Sequence, residues 1–388
     1  MWRAAHRAKH LIPEPTRRHT LRIAAITSFD FHRALDGRSW NPAWRWHERR
    51  VPLLRVQAAD GTFGIGEGWS HNNDTAPFHA RLAHLAPCLV GTAASAVPAI
   101  DAMAGDHWAA AAAASAIDMA LWDLRARARG VALHALIGPS QRAVPVYASG
   151  GLYRDAETRA DLAREMRGYI DQGFRAVKLK IGARGHADDL ARAAAVRAAV
   201  GPDTPIIVDA LGLLPPTQAA AQIDGLAAVG VTAIQAPLPV DDIAGLAALQ
   251  SHGELTVIAG ETTFQPLVLR ALLGAVGMLQ LCPALCGGIT GVLRWAAAAR
   301  EAGIGITLQC HGTAVLQAAC LHLGAGCDAV ASVEYHMFHR HLHAALPAGM
   351  QRIINGCVRL DERLGLGIDD AAFAAGGNGT LTRVTTTN

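Results

Sequence analysis

Two lysines lie two residues apart in the apolar segment RAVKLKIG, which has the length and composition of a strand. Lys178 and Lys180 would share one face of it, and two ammonium groups held close together in a partly buried site depress each other's pKa. A lysine tuned in this way can act as a general base near neutral pH. The alternative is a half-exposed strand in which Val177, Leu179 and Ile181 face the core. In a closed parallel barrel the apolar set packs against surrounding helices, and both lysines point inward.

Polar or ionisable residues end several other apolar runs further along the chain. They are Asp209, Gln235, Glu261, Cys282, Gln309 and Glu334. In an α/β barrel the carboxyl ends of the strands ring one mouth, where ligand sites form. Any one of these residues alone could be an ordinary loop residue, so the regularity of the pattern carries the prediction of a site.

The elements that must position these residues begin near residue 144. Short apolar runs recur there at intervals of roughly 20 to 30 residues, with Ala-rich stretches of helical length between them. The runs are VPVYAS, AVKLKI, PIIVDA, AIQAPL, VIAGE, MLQLC, ITLQC and ASVEY. Eight parallel βα units close a barrel, so we predict an α/β barrel. The rival, a doubly wound open sheet, normally has a Gly-rich phosphate loop, and YASGGLY matches GxGxxG poorly.

The part of the chain before residue 144 has an α+β pattern. The pair Asp60-Gly61 separates VPLLRVQAADG from TFGIGEGW and predicts a hairpin. A helix around Asp118 is predicted by apolar residues at helical spacing, with Gly130 as its C-terminal signal. These apolar residues are Ile117, Ala120, Leu121 and Leu124.

Bulk composition excludes several classes of protein. The chain has 388 residues, of which 51% are hydrophobic, and a formal net charge of +3, which does not suggest a nucleic-acid binder. No apolar run is long enough to span a bilayer. The seven cysteines are scattered without a CxxC pair, so we expect reduced thiols in a cytoplasmic protein. The basic segment 1–20 is interpreted as a flexible arm.

The motifs RAVKLKIG, PIIVDA, AIQAPLP, IAGE, LQLCPALCGGITG, ITLQCHGTA and VEYH together resemble the barrel of the mandelate racemase branch of the enolase superfamily. The resemblance runs from about Leu21 to about Asp369. It implies a modified TIM barrel, (β/α)7β, with an enolase-like N-terminal α+β capping domain. We expect a cap over 21–142, a barrel over 143–357 and a segment 358–388 that returns to the cap. Family members are usually homo-oligomers that act on small anionic substrates.

The resemblance also implies roles for individual residues. Lys178 and Lys180 match the family's Lys-x-Lys, with Lys180 at the position of the base that removes a proton α to a carboxylate. Asp209 and Glu261 match the first and third carboxylate ligands of Mg²⁺. Glu334 matches the acid that hydrogen-bonds the substrate carboxylate.

Other positions depart from the family pattern. Gln235 stands where the second Mg²⁺-binding Glu is expected, Leu211 replaces an Asn, and Ala236 replaces a polar residue. Since Mg²⁺ prefers anionic oxygens, the resemblance implies weakened binding through Asp209, the Gln235 carbonyl and Glu261. The alternative is that no metal binds and that Asp209 and Glu261 pair with the lysines instead. Both interpretations stay open at this point.

The Asp–His dyad expected on the opposite face of the substrate is replaced by Cys282 and Gln309. Three hypotheses follow. The first is a lyase or isomerase with Lys180 as base, and the second is a non-catalytic barrel. The third is metal-independent proton transfer between Lys180 and either Cys282 or His311, the latter as a replacement acid.

Two further segments carry predictions. We expect the lid of the pocket to come from residues 32–49 and from a turn that follows them. The lid candidates are Arg38, Trp40, Trp44, Trp46, His47, Trp69, His71 and Asn72.

The histidine-rich segment near the last barrel strand has irregular spacing for a metal site and is interpreted as a helix surface. Its members are His336, His339, His341 and His343.

Overall fold

The computed structural model describes residues 21–95, 103, 105–139, 143–375 and 379–388. The basic arm predicted for residues 1–20 therefore lies outside the described residues. The strands are β1 (Ile23–Ala34), β2 (Ser39–Trp40), β3 (Glu48–Ala58), β4 (Phe63–Glu67), β5 (Ala143–Ser149), β6 (Tyr153–Arg154), β7 (Val177–Lys180), β8 (Ile206–Asp209), β9 (Ala233–Gln235), β10 (Thr256–Ala259), β11 (Met278–Leu281), β12 (Gly305–Leu308), β13 (Val330–His336), β14 (Ile353–Ile354), β15 (Cys357–Arg359) and β16 (Thr380–Thr387).

The α-helices are α1 (Ala76–Leu89), α2 (Trp108–Ala128), α3 (Leu133–Ile137), α4 (Arg159–Asp171), α5 (His186–Val200), α6 (Pro216–Ala228), α7 (Ile243–His252), α8 (Pro266–Leu272), α9 (Gly288–Glu301), α10 (Ala314–Gly326) and α11 (Asp370–Ala374). Two 3₁₀ segments, Met337–His343 and Ala348–Gln351, follow the last barrel strand. No helix of the described ranges combines the length and the apolar composition that crossing a membrane requires.

Strands β5 and β7 to β13 form a closed parallel barrel. Each strand hydrogen-bonds to the next one in chain order, and β13 pairs with β5 to close the ring. Helices α4 to α10 follow the first seven of these strands, one after each. The predicted (β/α)7β fold is confirmed, and the rival open sheet is wrong because these strands leave no open edge.

Strand β7 is buried on both of its faces. Val177, Leu179 and Ile181 are each 0% exposed, whereas Lys178 and Lys180 on the other face are 1% and 6% exposed. The half-exposed alternative for this strand is therefore wrong. The closed barrel turns both lysines inward, as expected for strands surrounded by helices.

Backbone register aligns the polar strand ends in a row. Lys180 is paired with Asp209 across β7 and β8, and Asp209 is paired with Gln235 across β8 and β9. Because parallel strands present equivalent positions to the same end of a sheet, neighbouring polar side chains come within hydrogen-bonding reach.

The capping part is built on an antiparallel sheet in the order β16-β1-β3-β4, so the last strand of the chain lies beside the first. The predicted hairpin between β3 and β4 is confirmed, and its turn residue Gly61 has φ of +87°. Helix α2 packs on this sheet. A Cβ atom at Gly64 or Gly66 would overlap the backbone oxygen of Ala120 or Ala116 on α2. The strand therefore approaches the helix as closely as only glycine permits.

Helix α2 also joins the cap to the barrel through a buried carboxylate. Asp118 Oδ2 accepts a hydrogen bond from Thr290 N at 2.9 Å, and Oδ1 accepts one from Thr290 Oγ1 at 2.6 Å. Thr290 lies in the first turn of barrel helix α9, where the helix dipole favours a negative charge. The cap is therefore held against the outer layer of the barrel as well as over its mouth.

The interpretation of the histidine-rich segment as a helix surface is wrong for the residues whose side chains are described. His336, His339 and His343 are 3%, 0% and 1% exposed. His336 ends strand β13, and His339 and His343 lie in the 3₁₀ segment that follows it under the cap, where the Trp46 ring lies 6.4 Å from the His339 ring.

Candidate active site

A cavity of about 440 Å³ opens where the cap meets the C-terminal mouth of the barrel. Its barrel side carries charged and polar groups, namely Lys178, Lys180, Glu261, Gln309, His311 and Glu334. Its cap side is largely aromatic, with Trp44, Trp46, Trp69 and Trp108. A concave apolar wall facing a few convergent polar groups is the usual form of a small-molecule site.

Lys178 is the centre of the polar floor. Its Nζ atom lies 2.5 Å from Glu334 Oε1, 2.9 Å from Gln235 Oε1 and 3.4 Å from Asp209 Oδ2. Lys180 donates to Asp209 Oδ2 from the same face of the strand. Each ammonium group is therefore paired with a carboxylate, which offsets the free energy of burying both charges.

The charges on this floor shift one another's pKa values. Burial alone would lower the pKa of Lys178, but Glu334 and the other nearby anions outweigh it and raise that pKa well above its ordinary value. Burial would likewise raise the pKa of Asp209, but Lys180 and Lys178 hold it below its ordinary value. Lys178 is thus a permanent cation of the site, and Asp209 a permanent anion.

Gln235, Glu261 and Gln309 form a second row of hydrogen bonds. Gln235 Nε2 donates to Glu261 Oε2 at 2.5 Å, and Gln309 Nε2 donates to the same oxygen at 3.1 Å. Burial, followed by the Asp209 charge, raises the pKa of Glu261 to about 7. Glu261 lines the cavity, whereas Asp209 and Gln235 lie below the lysines and are absent from its lining.

Arg49 enters the site from cap strand β3. Its Nη2 atom donates to the carbonyl oxygen of His311 at 2.7 Å and to His311 Nδ1 at 3.1 Å, and its Nη1 atom donates to Asn73 Oδ1 at 2.9 Å. Burial lowers the pKa of Arg49 to about 10, so it remains charged at neutral pH. Since a guanidinium only donates, Nδ1 of His311 accepts, and the neutral ring carries its proton on Nε2.

His311 and His336 line the cavity as neutral rings. Burial, then Arg49, lowers the pKa of His311 well below its ordinary value, and burial, then Lys180, does the same for His336. Neither ring is therefore an imidazolium acid at neutral pH. Each remains able to donate one hydrogen bond and accept another.

The match to known families decides the assignment. Residues 161–371 match the family described as "Enolase C-terminal domain-like", and residues 44–138 match "Mandelate racemase / muconate lactonizing enzyme, N-terminal domain". The chain belongs to the mandelate racemase/muconate lactonizing enzyme family of the enolase superfamily.

Individual members of the family resemble the chain over most of its length. The D-galactarolactone cycloisomerase of Agrobacterium fabrum is 29% identical over 90% of this chain and 96% of its own. A racemase structure from Streptomyces coelicolor with bound magnesium has a TM-score of 0.81 at 26% identity, covering 92% of this chain and all of that chain. A Bordetella bronchiseptica structure complexed with 2-oxoglutarate/phosphate has a TM-score of 0.82 at 28% identity, covering 92% of this chain and 98% of that chain.

Family relatives thus include cycloisomerases and dehydratases of sugar acids. Family membership implies Mg²⁺ held at positions 209, 235 and 261. Asp209 accepts from Lys180 through Oδ2 and from Leu211 N through Oδ1 at 3.1 Å. The only oxygen that the Gln235 side chain offers accepts from Lys178. With two of three ligand positions engaged by the chain's own donors, these residues do not fit a Mg²⁺ ion of the family type.

Several sequence-predicted residues lie away from the cavity. Cys282 is 1% exposed and absent from the lining, and burial, then Cys286, raises its pKa well above the ordinary value. This placement does not support a proton-carrying thiol. Arg38, Trp40 and His47 of the predicted lid are also absent from the lining.

The lid prediction identified other residues correctly and missed some. Trp44, Trp46, Trp69, His71 and Asn72 line the cavity as expected. Lining residues that the sequence analysis did not name include Asn73, Trp108 and Phe264, as well as Asn41 within the predicted lid segment, and His336 lines the cavity instead of a helix surface. Trp108 could have been singled out from its position. It is the first residue of a long Ala-rich helix, and so bulky a side chain does not suit the tight packing of such a helix.

Proposed function

We propose that this protein is an isomerase or lyase that moves a proton at the carbon α to the carboxylate of a hydroxy acid or sugar acid, with Lys180 as the proton-transferring group. One observation carries the proposal. Among 35 lysine and arginine residues the chain has three lysines, and two of them, Lys178 and Lys180, lie side by side on the cavity floor.

The choice of lysine at these two positions supports proton transfer. Arginine supplies nearly all other positive charge in the chain, but a guanidinium does not lose its proton near neutral pH. A lysine amine can act as a general base, which a guanidinium cannot. A site that only needed to attract an anion would be served equally well by arginine.

The proposed step uses only the chain's own groups. The substrate carboxylate lies against the Lys178 ammonium, which Glu334 and Asp209 hold in place. Lys180 in its neutral form takes the α-proton, the C–H electron pair becomes the enolate, and the Lys178 charge stabilises the enolate oxygen. Return of the proton from Lys180 to the same face restores the substrate, whereas protonation of the opposite face by water gives isomerisation. Departure of a β-hydroxyl, which takes up a proton from the Lys180 ammonium and leaves as water, gives dehydration.

The ion pair between Lys180 and Asp209 represents the protonated half of this cycle. In that form Lys180 is the proton donor of the return step. The neutral Nε2–H of His311 and the amide of Gln309, both at the cavity, are further hydrogen-bond donors for substrate oxygens. Relatives that act on sugar acids support this class of substrate.

A second candidate is a non-catalytic binding protein for organic acids. The ion pair between Lys180 and Asp209 favours this candidate. The absence of the family's Asp–His dyad also favours it, since Cys282 and Gln309 occupy those positions. Such a protein would bind acids through Lys178 and never exchange their α-protons.

The two candidates separate in one experiment. The wild-type protein is incubated in D₂O with a panel of hydroxy acids and sugar acids, and loss of the α-proton signal is followed by ¹H NMR. The matched variant Lys180→Arg keeps the positive charge beside Asp209 but cannot act as a base. We expect Lys180-dependent exchange with at least one acid and none in the variant.

Saturation-transfer NMR on the same samples reports acid binding separately. Binding without exchange in both proteins would establish the second candidate. Exchange that persists in Lys180→Arg would contradict the assignment of Lys180.

A further inference from the structure

We infer that this protein holds no divalent cation at the family's metal position and that Gln235 is the residue that excludes it, the positive charge of the site being supplied by Lys178 and Lys180. The inference concerns ion binding and does not rest on the proposed reaction. It is carried by the orientation of one amide, by the depth of the ligand positions and by the charge of the floor.

The orientation of the Gln235 amide is fixed from both ends. An ammonium group only donates, so the Gln235 atom 2.9 Å from Lys178 Nζ must be the oxygen. The amide nitrogen is then directed at Glu261 Oε2, 2.5 Å away. A cation shared by positions 235 and 261 requires an oxygen on the side that this NH₂ group occupies.

Rotating the Gln235 amide by 180° would not produce a favourable metal ligand. The NH₂ group would then face the Lys178 ammonium, and the amide oxygen would face the Glu261 carboxylate. Both contacts are repulsive, and both lie in a region where Lys178 and Gln235 are each 1% exposed. A buried donor that faces another donor, or a buried acceptor that faces another acceptor, strongly destabilises the folded state.

The remaining ligand positions are no more available. Asp209 is 0% exposed and its two oxygens accept from Lys180 and from the Leu211 amide. Leu211, which lines the cavity beside it, has an aliphatic side chain without a donor oxygen. The lysines therefore lie between the cavity and two of the three positions at which an ion would be bound.

Charge on the floor leads to the same conclusion. The ammonium groups of Lys178 and Lys180 face the carboxylates of Asp209, Glu261 and Glu334, which leaves one negative charge unbalanced when Glu261 is ionised. A divalent cation would reverse that imbalance to a net positive charge in a buried region. Glutamate at position 235 would leave two negative charges, which a divalent cation neutralises, so a single amide changes the preference of the site.

The test measures ion binding directly. The full-length protein is stripped with EDTA, dialysed and titrated with Mn²⁺, whose free form is counted by its EPR signal, and thermal unfolding is recorded with and without millimolar Mg²⁺. Wild type is expected to bind no stoichiometric Mn²⁺ and to show no shift in Tm. Gln235→Glu is expected to bind one Mn²⁺ per chain and to unfold at a higher temperature with Mg²⁺.

Gln309→Glu is the matched control, because Gln309 also donates to Glu261 Oε2 but is not one of the three ligand positions. It is expected to bind no Mn²⁺. One Mn²⁺ per wild-type chain, lost in Asp209→Asn, would overturn the inference. Failure of Gln235→Glu to bind, or binding by both glutamate variants, would overturn the role given to Gln235. If Gln235→Glu does not fold by circular dichroism, Gln235→Asp introduces the same charge, and the wild-type titration stands by itself.

Discussion

Arg49 of the cap donates to both the carbonyl oxygen and the Nδ1 atom of His311 on the barrel, at 2.7 and 3.1 Å. A side chain from the first part of the chain thereby fixes the tautomer of a ring that follows barrel strand β12. The cap is thus part of the site's chemistry as well as its cover.

Replacing Arg49 by Met should free the His311 ring and leave its carbonyl oxygen without this donor. We expect the free energy of unfolding to fall by about 3 kcal/mol, since buried hydrogen bonds from a charged donor are lost. The pKa of His311 should rise, because the guanidinium charge contributes to its depression. Urea unfolding and the NMR titration of the imidazole measure the two effects. Arg50→Met, at a more exposed neighbour, is the control, and an unchanged His311 titration in Arg49→Met would contradict the prediction.

Glu67 makes another buried polar contact between cap and barrel. Its carboxylate accepts from Thr313 N, Thr313 Oγ1 and Leu316 N at 3.0, 2.5 and 3.0 Å, at the start of helix α10. Glu67→Gln replaces one acceptor oxygen by an NH₂ group, so we expect unfolding to become easier by about 2 kcal/mol. Gly312→Ala should have a comparable effect, because its Cβ would overlap Glu67 Oε1. Equal stability of Glu67→Gln and the partly exposed Glu48→Gln in thermal unfolding would refute this.

Stability should depend on pH through Asp118, whose pKa burial raises from 3.8 to about 6. The folded chain therefore holds this proton more tightly than the unfolded chain. Its stabilising effect is complete below pH 3.8 and disappears as the pH rises through about 6. Relative to Asp118→Asn, wild type should lose about 2 kcal/mol of unfolding free energy between pH 4 and 7. A pH-independent difference between the two proteins would exclude this, and the exposed Asp203→Asn serves as the control.

Glu334→Gln should destabilise the floor without changing its shape. The variant removes the anion closest to Lys178, at 2.5 Å, and leaves that ammonium with less compensation. We expect the urea midpoint to fall by the equivalent of about 3 kcal/mol, because breaking a buried ion pair leaves an uncompensated charge. The pKa of Lys178 should fall as well, since Glu334 is the leading cause of its elevation. An unaltered urea midpoint would show that the pair contributes no net stability.

The parts of this structure that follow from local rules were predictable. Alternation along β7 placed Lys178 and Lys180 on one face, and eight apolar runs at even spacing indicated a closed barrel. The polar strand ends then had to meet at one mouth, because parallel strands run in the same direction. These inferences need only the period of a strand and the direction of a sheet.

The orientation of Gln235 and the burial of His336 did not follow from such rules. The first depends on the position of the Lys178 ammonium. Lys178 lies on β7, which is separated from the strand of Gln235, β9, by β8. The second depends on the 3₁₀ segment after β13, where the His339 ring stacks on His336 and lies 6.4 Å from Trp46 of the cap. Both are set by contacts between parts of the chain that are far apart in sequence, and local periodicity carries no information about such contacts.

The scarcity of lysine in the chain limits the number of positions at which amine chemistry can act. Apart from Lys9 and the chain's own amino terminus, Lys178 and Lys180 are the primary amines of the sequence. A small aldehyde with a reducing agent would label few positions, and peptide mass analysis would resolve each of them. Protection by a bound acid would then serve as a screen for ligands that requires neither turnover nor a chromophore.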